Sequence, residues 1–318
     1  ANFLTGAILG AMRQAVLATL AYYDILDFPL KAEEVFNCLI KVNGDDSDKP
    51  TPIDIRCALD QLVLEKIISA ANGYYFLSDR EYLVPLRLKK EKISRRKMVR
   101  ARRAVRWLAF VPYVEAVFAS GSLGLGNCDE LSDLDVLVIT KHGRIWTARL
   151  LITGFLSVFG LRRKPRQKIA PDKICLNHYI TDASLTIPFH SIYNAQTYLN
   201  LKPLLVCDPG LFAEFQKKNP WIGDFLYHPW QVGYDPAITI RLSRFARAVS
   251  AILKIFFPVW LEGRVKRYQI RRITRNPLTS HPVGHVVYDD EQLAFHPDSP
   301  EPVILEKYQA KLNELTGA

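Results

Sequence analysis

No stretch of this chain reaches the ~20 uninterrupted apolar residues that a membrane-spanning helix requires. The two nearest candidates are broken, 145–161 by Arg149 and Gly154, and 245–261 by Arg247, Lys254 and Pro258. Both are expected to be buried helices, with an interfacial position as the alternative because basic residues flank each. The apolar N-terminal stretch lacks a basic region before it, so it reads as the start of a helix rather than a secretory signal. The five cysteines, Cys38, Cys57, Cys128, Cys175 and Cys207, form no C-x-x-C pair and are odd in number. That argues against a disulfide framework or a zinc site and predicts reduced thiols in a cytoplasmic protein. His281 and His285 have Pro282 and Gly284 between them, which predicts a loop and not a helical metal pair. Gly121, Gly124 and Gly126 miss the dinucleotide-binding spacing, and a Walker lysine is missing too. Internal repeats, low-complexity segments and an assignable Ser-His-Asp arrangement are also lacking.

What the chain has is a large apolar content and uneven positive charge. Its 318 residues, 49% hydrophobic, suffice for two or three domains with a substantial core. The net charge of +10 is concentrated in three clusters, 87–106, 162–173 and 264–275. The first holds eleven Lys/Arg and one acid, Glu91. Such clusters attract phosphate, whether of nucleic acid, nucleotide or anionic lipid, and the alternative is a solvated helix face.

Residues 10–80 have the pattern of a winged helix-turn-helix. A helix over 15–23 is followed by a break at Phe28-Pro29-Leu30, a short second helix over 31–40 and a polar loop over 41–49. Thr51, Pro52 and Asp54 give the start of a third helix: an N-cap, a proline at the first helical position and an acid at the third. Asn72-Gly73 between β-prone residues predicts a hairpin, the wing. The third helix carries Asp54, Asp60 and Glu65 against Arg56 and Lys66, a poor charge pattern for entering a DNA groove. A docking or substrate-recognition role serves this module equally well. A basic linker helix over 81–112 is expected next. An alternation follows of strands 114–120 and 133–140, helix 144–160 and strand 174–180, and this is an α/β pattern. From 186 to 318 the chain reads as helical, with Pro258 ending or kinking the longest helix.

The chemistry is concentrated in residues 117–140. A hydrophobic run ends in Gly121-Ser122, a polar loop follows, and a second hydrophobic run opens with Ser132-Asp133-Leu134-Asp135. Side chains alternate along a strand, so Asp133 and Asp135 point the same way, roughly 7 Å apart. Two carboxylates so placed can hold Mg²⁺, a hard cation that keeps substrate phosphates in its shell. Gly121 lets the backbone pass close to a phosphate, and Ser122 offers a hydroxyl and an N–H. The alternative is an ordinary βα unit whose aspartates sit in a solvated turn.

This stretch resembles the nucleotidyltransferase superfamily of DNA polymerase beta, and within it the minimal, MNT-type nucleotidyltransferases, through Gly121, Ser122, Ser132, Asp133 and Asp135. The resemblance covers 113–182. It implies an α/β fold with a nucleotidyltransferase core built on a mixed sheet over 113–185, preceded by the winged-helix-like domain and followed by a helical domain that shapes an acceptor pocket. It also implies Mg²⁺ (or Mn²⁺) on Asp133 and Asp135, and an NTP whose phosphates lie on Gly121, Ser122 and Ser132. An NMP would pass to an acceptor hydroxyl on a protein, a small molecule or RNA, with release of pyrophosphate. Two departures stand out. Members often carry an arginine soon after Gly-Ser, where this chain has Leu123 to Gly126, and they place a third carboxylate on a later strand. The matching strand here, 174–180, carries Asn177 and His178 but no acid. Asn177 is expected to face the aspartates, with His178 the alternative, and it can ligate metal or water but is no base. The alternative function is a catalytically inactive protein of this fold that binds nucleotide, or nucleic acid through the basic clusters.

Overall fold

The computed structural model describes residues 2–42, 49–164, 167, 169–230, 239–240, 243–280 and 284–316. The expected loop over 41–49 falls largely outside this set, as does His281. The N-terminal unit consists of α1 (Asn2–Ile25), β1 (Leu30–Lys31), α2 (Ala32–Asn37), α3 (Pro52–Leu64), β2 (Ile68–Ala71) and β3 (Tyr74–Leu77). Its three strands form an antiparallel sheet in the order β1-β3-β2. The start of α3 is fixed locally: the Thr51 hydroxyl accepts from the Asp54 N–H, and the Asp54 carboxylate accepts from the Thr51 N–H. The β2–β3 turn needs two left-handed residues, and Asn72 (φ 53°) and Gly73 (φ 79°) provide them.

The long helix α4 (Leu83–Val105) leads into a six-stranded mixed sheet. Around it the chain runs β4 (Val114–Ala119), α5 (Gly121–Leu125), β5 (Leu134–Thr140), α6 (Ile145–Val158), β6 (Ile174–Thr181), α7 (Ile192–Leu199), β7 (Lys202–Val206), α8 (Gly210–Lys218) and α9 (Ile222–Phe225). After these come α10 (Arg244–Phe256), α11 (Val259–Thr274), α12 (Pro277–Ser280), β8 (His285–Tyr288), β9 (Gln292–His296) and α13 (Glu301–Thr316). The strand order is β7-β4-β5-β6-β9-β8, with β5 and β6 parallel and the other pairings antiparallel. Helix α6 makes the crossover that a parallel pair requires. Strand alternation divides the core into two layers. Phe118, Leu137, Ile139 and Ile180 join the cluster of α1, α3 and α8, while Val117, Val136, Val138 and Tyr179 join that of α4 and α6.

The region after 185 is not wholly helical, which corrects the expectation for 186–318. β7 pairs with β4, and the β8–β9 hairpin pairs with β6, so this region contributes half of the sheet's strands. The hairpin turn at Asp289 to Glu291 is closed by the Asp289 carboxylate, which accepts from the N–H groups of Glu291 and Gln292. The expected burial of 145–161 and 245–261 divides. The inner face of α6 is buried, and Glu262 of α11 caps its first turn by accepting from the N–H groups of Trp146 and Thr147. Residues 245–261 instead form an exposed elbow at Pro258. Among the described residues no helix is long and apolar enough to cross a membrane.

Two buried polar groups hold these parts together. The basic helix is more than a charged surface: Lys97 is 1% exposed and gives its ammonium to the carbonyls of Glu130 (3.1 Å) and Ser132 (2.7 Å) and to Asp172 (3.0 Å). Its three donors are all used, the condition under which a cation can be buried. Replacing it by methionine (Lys97→Met) leaves two carbonyls and a carboxylate without their donor. We expect a loss of about 3 kcal/mol in urea denaturation; an unchanged midpoint would refute the role given to this clamp.

His178 is buried between Tyr198, which meets Nδ1 (3.1 Å), and Gln292, which meets Nε2 (2.9 Å). Burial first, and the charge of His296 second, push its pKa down to about 3. The folded protein therefore keeps the ring neutral, whereas the unfolded chain takes up a proton near pH ~6.5. Stability must fall as pH drops from about 6.5 towards 3, by roughly 1.4 kcal/mol per pH unit for this group. Urea titrations between pH 7 and 5 should show this slope in the wild type and a slope smaller by about one proton in His178→Gln. Equal slopes would contradict it.

Candidate active site

The site is built where β5 begins. Just before it, Asp129 Oδ1 accepts from the N–H groups of Leu131 (2.9 Å) and Ser132 (2.8 Å) and from the Ser132 hydroxyl (3.0 Å). This turn, held from α4 by Lys97, delivers Asp133. Two residues on, the strand period brings Asp135 to the same side. The parallel register sets Asp135 opposite Cys175. β6 then uses three residues, Cys175 to His178, where β5 uses two, Asp135 to Leu137. That bulge keeps Asn177 in reach, and its amide donates to Asp135 Oδ1 at 3.0 Å. His178 is carried into the core instead.

Gly121 covers the other side of Asp135. Its φ is +55°, and a Cβ placed there would lie 2.9 Å from Asp135 Oδ2. Only glycine allows the backbone to run this close to the carboxylate in this conformation. Ser122 follows in the first turn of α5, its hydroxyl 3.6 Å from the Cys128 thiol. The structure thus brings Asp133, Asp135, Asn177 and Gly121 together with Ser122 alongside, while the Ser132 side chain is engaged by Asp129.

Two further residues enter the cluster without having been singled out in the sequence. The Cys175 Sγ and a carboxylate oxygen of each aspartate lie within 4.8 Å of one another, the one such grouping of three among the described residues. Arg163, from the basic loop after α6, places Nη1 2.6 Å from Asp133 Oδ2 and 3.7 Å from Cys175 Sγ. Strand parity places Cys175 on the face of Asn177, and Arg163 lies in the basic cluster 162–173, which marks it for phosphate but not for a contact with Asp133. Asp172 and Asp182, which flank β6, do not supply a third acid. Asp172 is held by Lys97 and Arg100, and Asp182 by Lys141 and the His142 N–H.

The electrostatics follow from this crowding. Burial, and next the Asp133 charge, push the Asp135 carboxyl well above the usual carboxylate range. Burial and the two carboxylates push the Cys175 thiol up as well. Asn177 and Arg163 act the other way on Asp135, favouring the charged form. Two carboxylates and a thiol converging this closely fit a divalent cation. Asp133 and Asp135 provide the oxygen ligands that Mg²⁺ or Mn²⁺ prefers, and the thiol adds a softer donor.

No family model, no curated protein and no solved structure matches this chain.

Gly121→Ala tests the geometry directly. The new methyl must displace the Asp135 carboxylate, and alanine at positive φ costs about 1–2 kcal/mol. We expect a modest loss of stability and a weakening of Mn²⁺ binding by roughly tenfold or more in calorimetric titration. Unaltered Mn²⁺ affinity in a folded variant would separate Gly121 from the cation site.

Proposed function

We propose that this protein is a divalent-cation-dependent nucleotidyltransferase, moving an NMP from an NTP to an acceptor hydroxyl with release of pyrophosphate. The observation that carries the reading is the close approach of the Gly121-Ser122 backbone to the paired carboxylates of Asp133 and Asp135. It offers phosphate-binding backbone and cation-binding oxygens on one spot. A divalent cation on Asp133 and Asp135 would neutralise the charge of a triphosphate during displacement. Gly121 leaves room for the phosphates, and Ser122 offers its N–H and hydroxyl to them. Arg163 brings a guanidinium to the same place and can transfer its contact from Asp133 to a phosphate oxygen. Asn177 orients Asp135 and favours its charged form, but its amide cannot accept the acceptor's proton. The acceptor is a protein, a small molecule or an RNA end.

A second reading is favoured by two specific observations. Arg163 already neutralises Asp133, and the third polar position on β6 is an amide. Both suit a member of the same fold that binds nucleotide, or nucleic acid along the exposed basic residues of α4, without turning it over.

Incubation with each NTP labelled in its α-phosphate, with Mg²⁺ or Mn²⁺ and with or without cell extract, separates the two. Labelling of any species supports transfer. It should disappear in Asp133→Asn and Asp135→Asn, and persist or rise in Asn177→Asp, which restores a carboxylate. NTP binding without labelling supports the second reading. Labelling that survives both aspartate substitutions would sink the site assignment.

A further inference from the structure

We infer that the elbow formed by α10 and α11 docks on anionic bilayer surfaces, lying in the interface rather than crossing it. This inference is independent of the nucleotidyl-transfer reading.

The elbow presents large apolar side chains to solvent on a scale that a soluble surface rarely tolerates. Phe245 is 70% exposed, Ile252 57%, Ile255 76%, Phe256 68%, Val259 72% and Trp260 63%. On α10, Phe245, Ile252 and Ile255 are separated by seven and three positions, the spacing of one helical stripe, and Val259 and Trp260 open α11 beyond the break. Trp107, half exposed, extends the surface through Phe110, whose ring is 6.0 Å from those of both Trp107 and Phe245. Tryptophan and phenylalanine at such a rim suit the headgroup boundary.

The elbow is not a loosely attached helix. Ala246 is buried, and the carbonyl of Phe257 accepts from the Tyr113 hydroxyl (2.9 Å) and Arg144 Nη1 (3.4 Å). On α11, Val265, Gln269 and Ile273 are buried. The inner face of each helix is therefore committed to the protein, and the apolar stripe on the outer face has nothing to cover it among the described residues.

Charge identifies the occupant. Residues 244–275 carry nine Lys/Arg and a single acid, Glu262. Both oxygens of Glu262 are engaged by the first turn of α6. Of the nine cations, Lys266 is paired, with Asp290; Arg244, Arg247, Lys254, Arg264, Arg267 and Arg271 are exposed. A second copy of this chain would bring the same cations against themselves, and like charges across a symmetric contact oppose association. An anionic lipid surface satisfies both halves of the pattern, taking the apolar stripe into the acyl boundary and the cations onto the headgroups. At 13 residues α10 is about 20 Å long, too short to span, and Pro258 breaks the path.

The test is flotation with vesicles of phosphatidylcholine alone and of phosphatidylcholine with phosphatidylglycerol. It compares the wild type, the double variant Ile255→Glu/Phe256→Glu and the double variant Arg264→Glu/Arg271→Glu. All four substituted side chains are exposed, so circular dichroism and melting should match the wild type. We expect the wild type to float with the anionic vesicles only, its binding weakening as salt rises. Each double variant should bind roughly tenfold more weakly or worse. The inference is overturned if the wild type fails to float with anionic vesicles, or if both variants float as well as it does. It is also overturned if sedimentation shows a wild-type dimer that Ile255→Glu/Phe256→Glu converts to monomer, since the face would then be a self-association surface.

Discussion

The Lys97 ammonium is the contact on which the arrangement of the site depends. It leaves α4, is almost wholly buried, and ends on the carbonyls of Glu130 and Ser132 and on the carboxylate of Asp172. Ser132 immediately precedes Asp133, and Asp172 precedes β6 by two residues. One cation thus fixes the entry of both parallel strands, whose adjacent ends carry the aspartates and Cys175. Such a charge is tolerated inside the protein because each of its donors has a partner. The basic helix therefore divides its labour. Arg87 is buried in ion pairs with Glu34 and Glu91 and stacks on Phe28, while Lys89, Lys92, Arg95 and Arg103 remain exposed to solvent.

Downstream of that clamp lies a site that concentrates negative charge in a confined space. Asp133 and Asp135 repel one another, and Asp135 is further penalised by its removal from water. Arg163 on one side and Asn177 on the other make the pair tolerable in the folded protein. A divalent cation would remove the same penalty more completely, which is why crowded carboxylates and metal binding go together. Arg163 and such a cation address the same carboxylate, so a ligand that draws Arg163 towards itself also frees Asp133 Oδ2.

The α10–α11 elbow and the carboxylate cluster stand on the same core layer. α10 and α11 pack beside the three-residue-per-turn segment Arg106–Phe110 and against α6, the helix that connects β5 to β6. The protein thus has a carboxylate–thiol cluster at one end of the parallel strand pair and a basic, apolar surface on the helices that cover it.

Local rules made much of this legible in the residues alone. The period of two placed Asp133 and Asp135 on one face, Asn72-Gly73 marked the hairpin, Thr51 and Asp54 marked the start of α3, and Pro258 marked the break between α10 and α11. Each depends on neighbours within a few positions. The tertiary structure decided what depends on distant partners. β7 and β9 are short strands that became part of the sheet by pairing with β4 and β6, formed earlier in the chain, and β8 joins through β9. Alternation already sets Asn177 towards the aspartates, but the bulge in β6 that fixes its contact with Asp135 is not specified by simple alternation. Arg163 reached Asp133 across 30 positions of sequence. Residues 245–261 have the apolar content of a buried helix and yet lie open, because amphipathicity determines which side faces inward but not whether anything covers the other side.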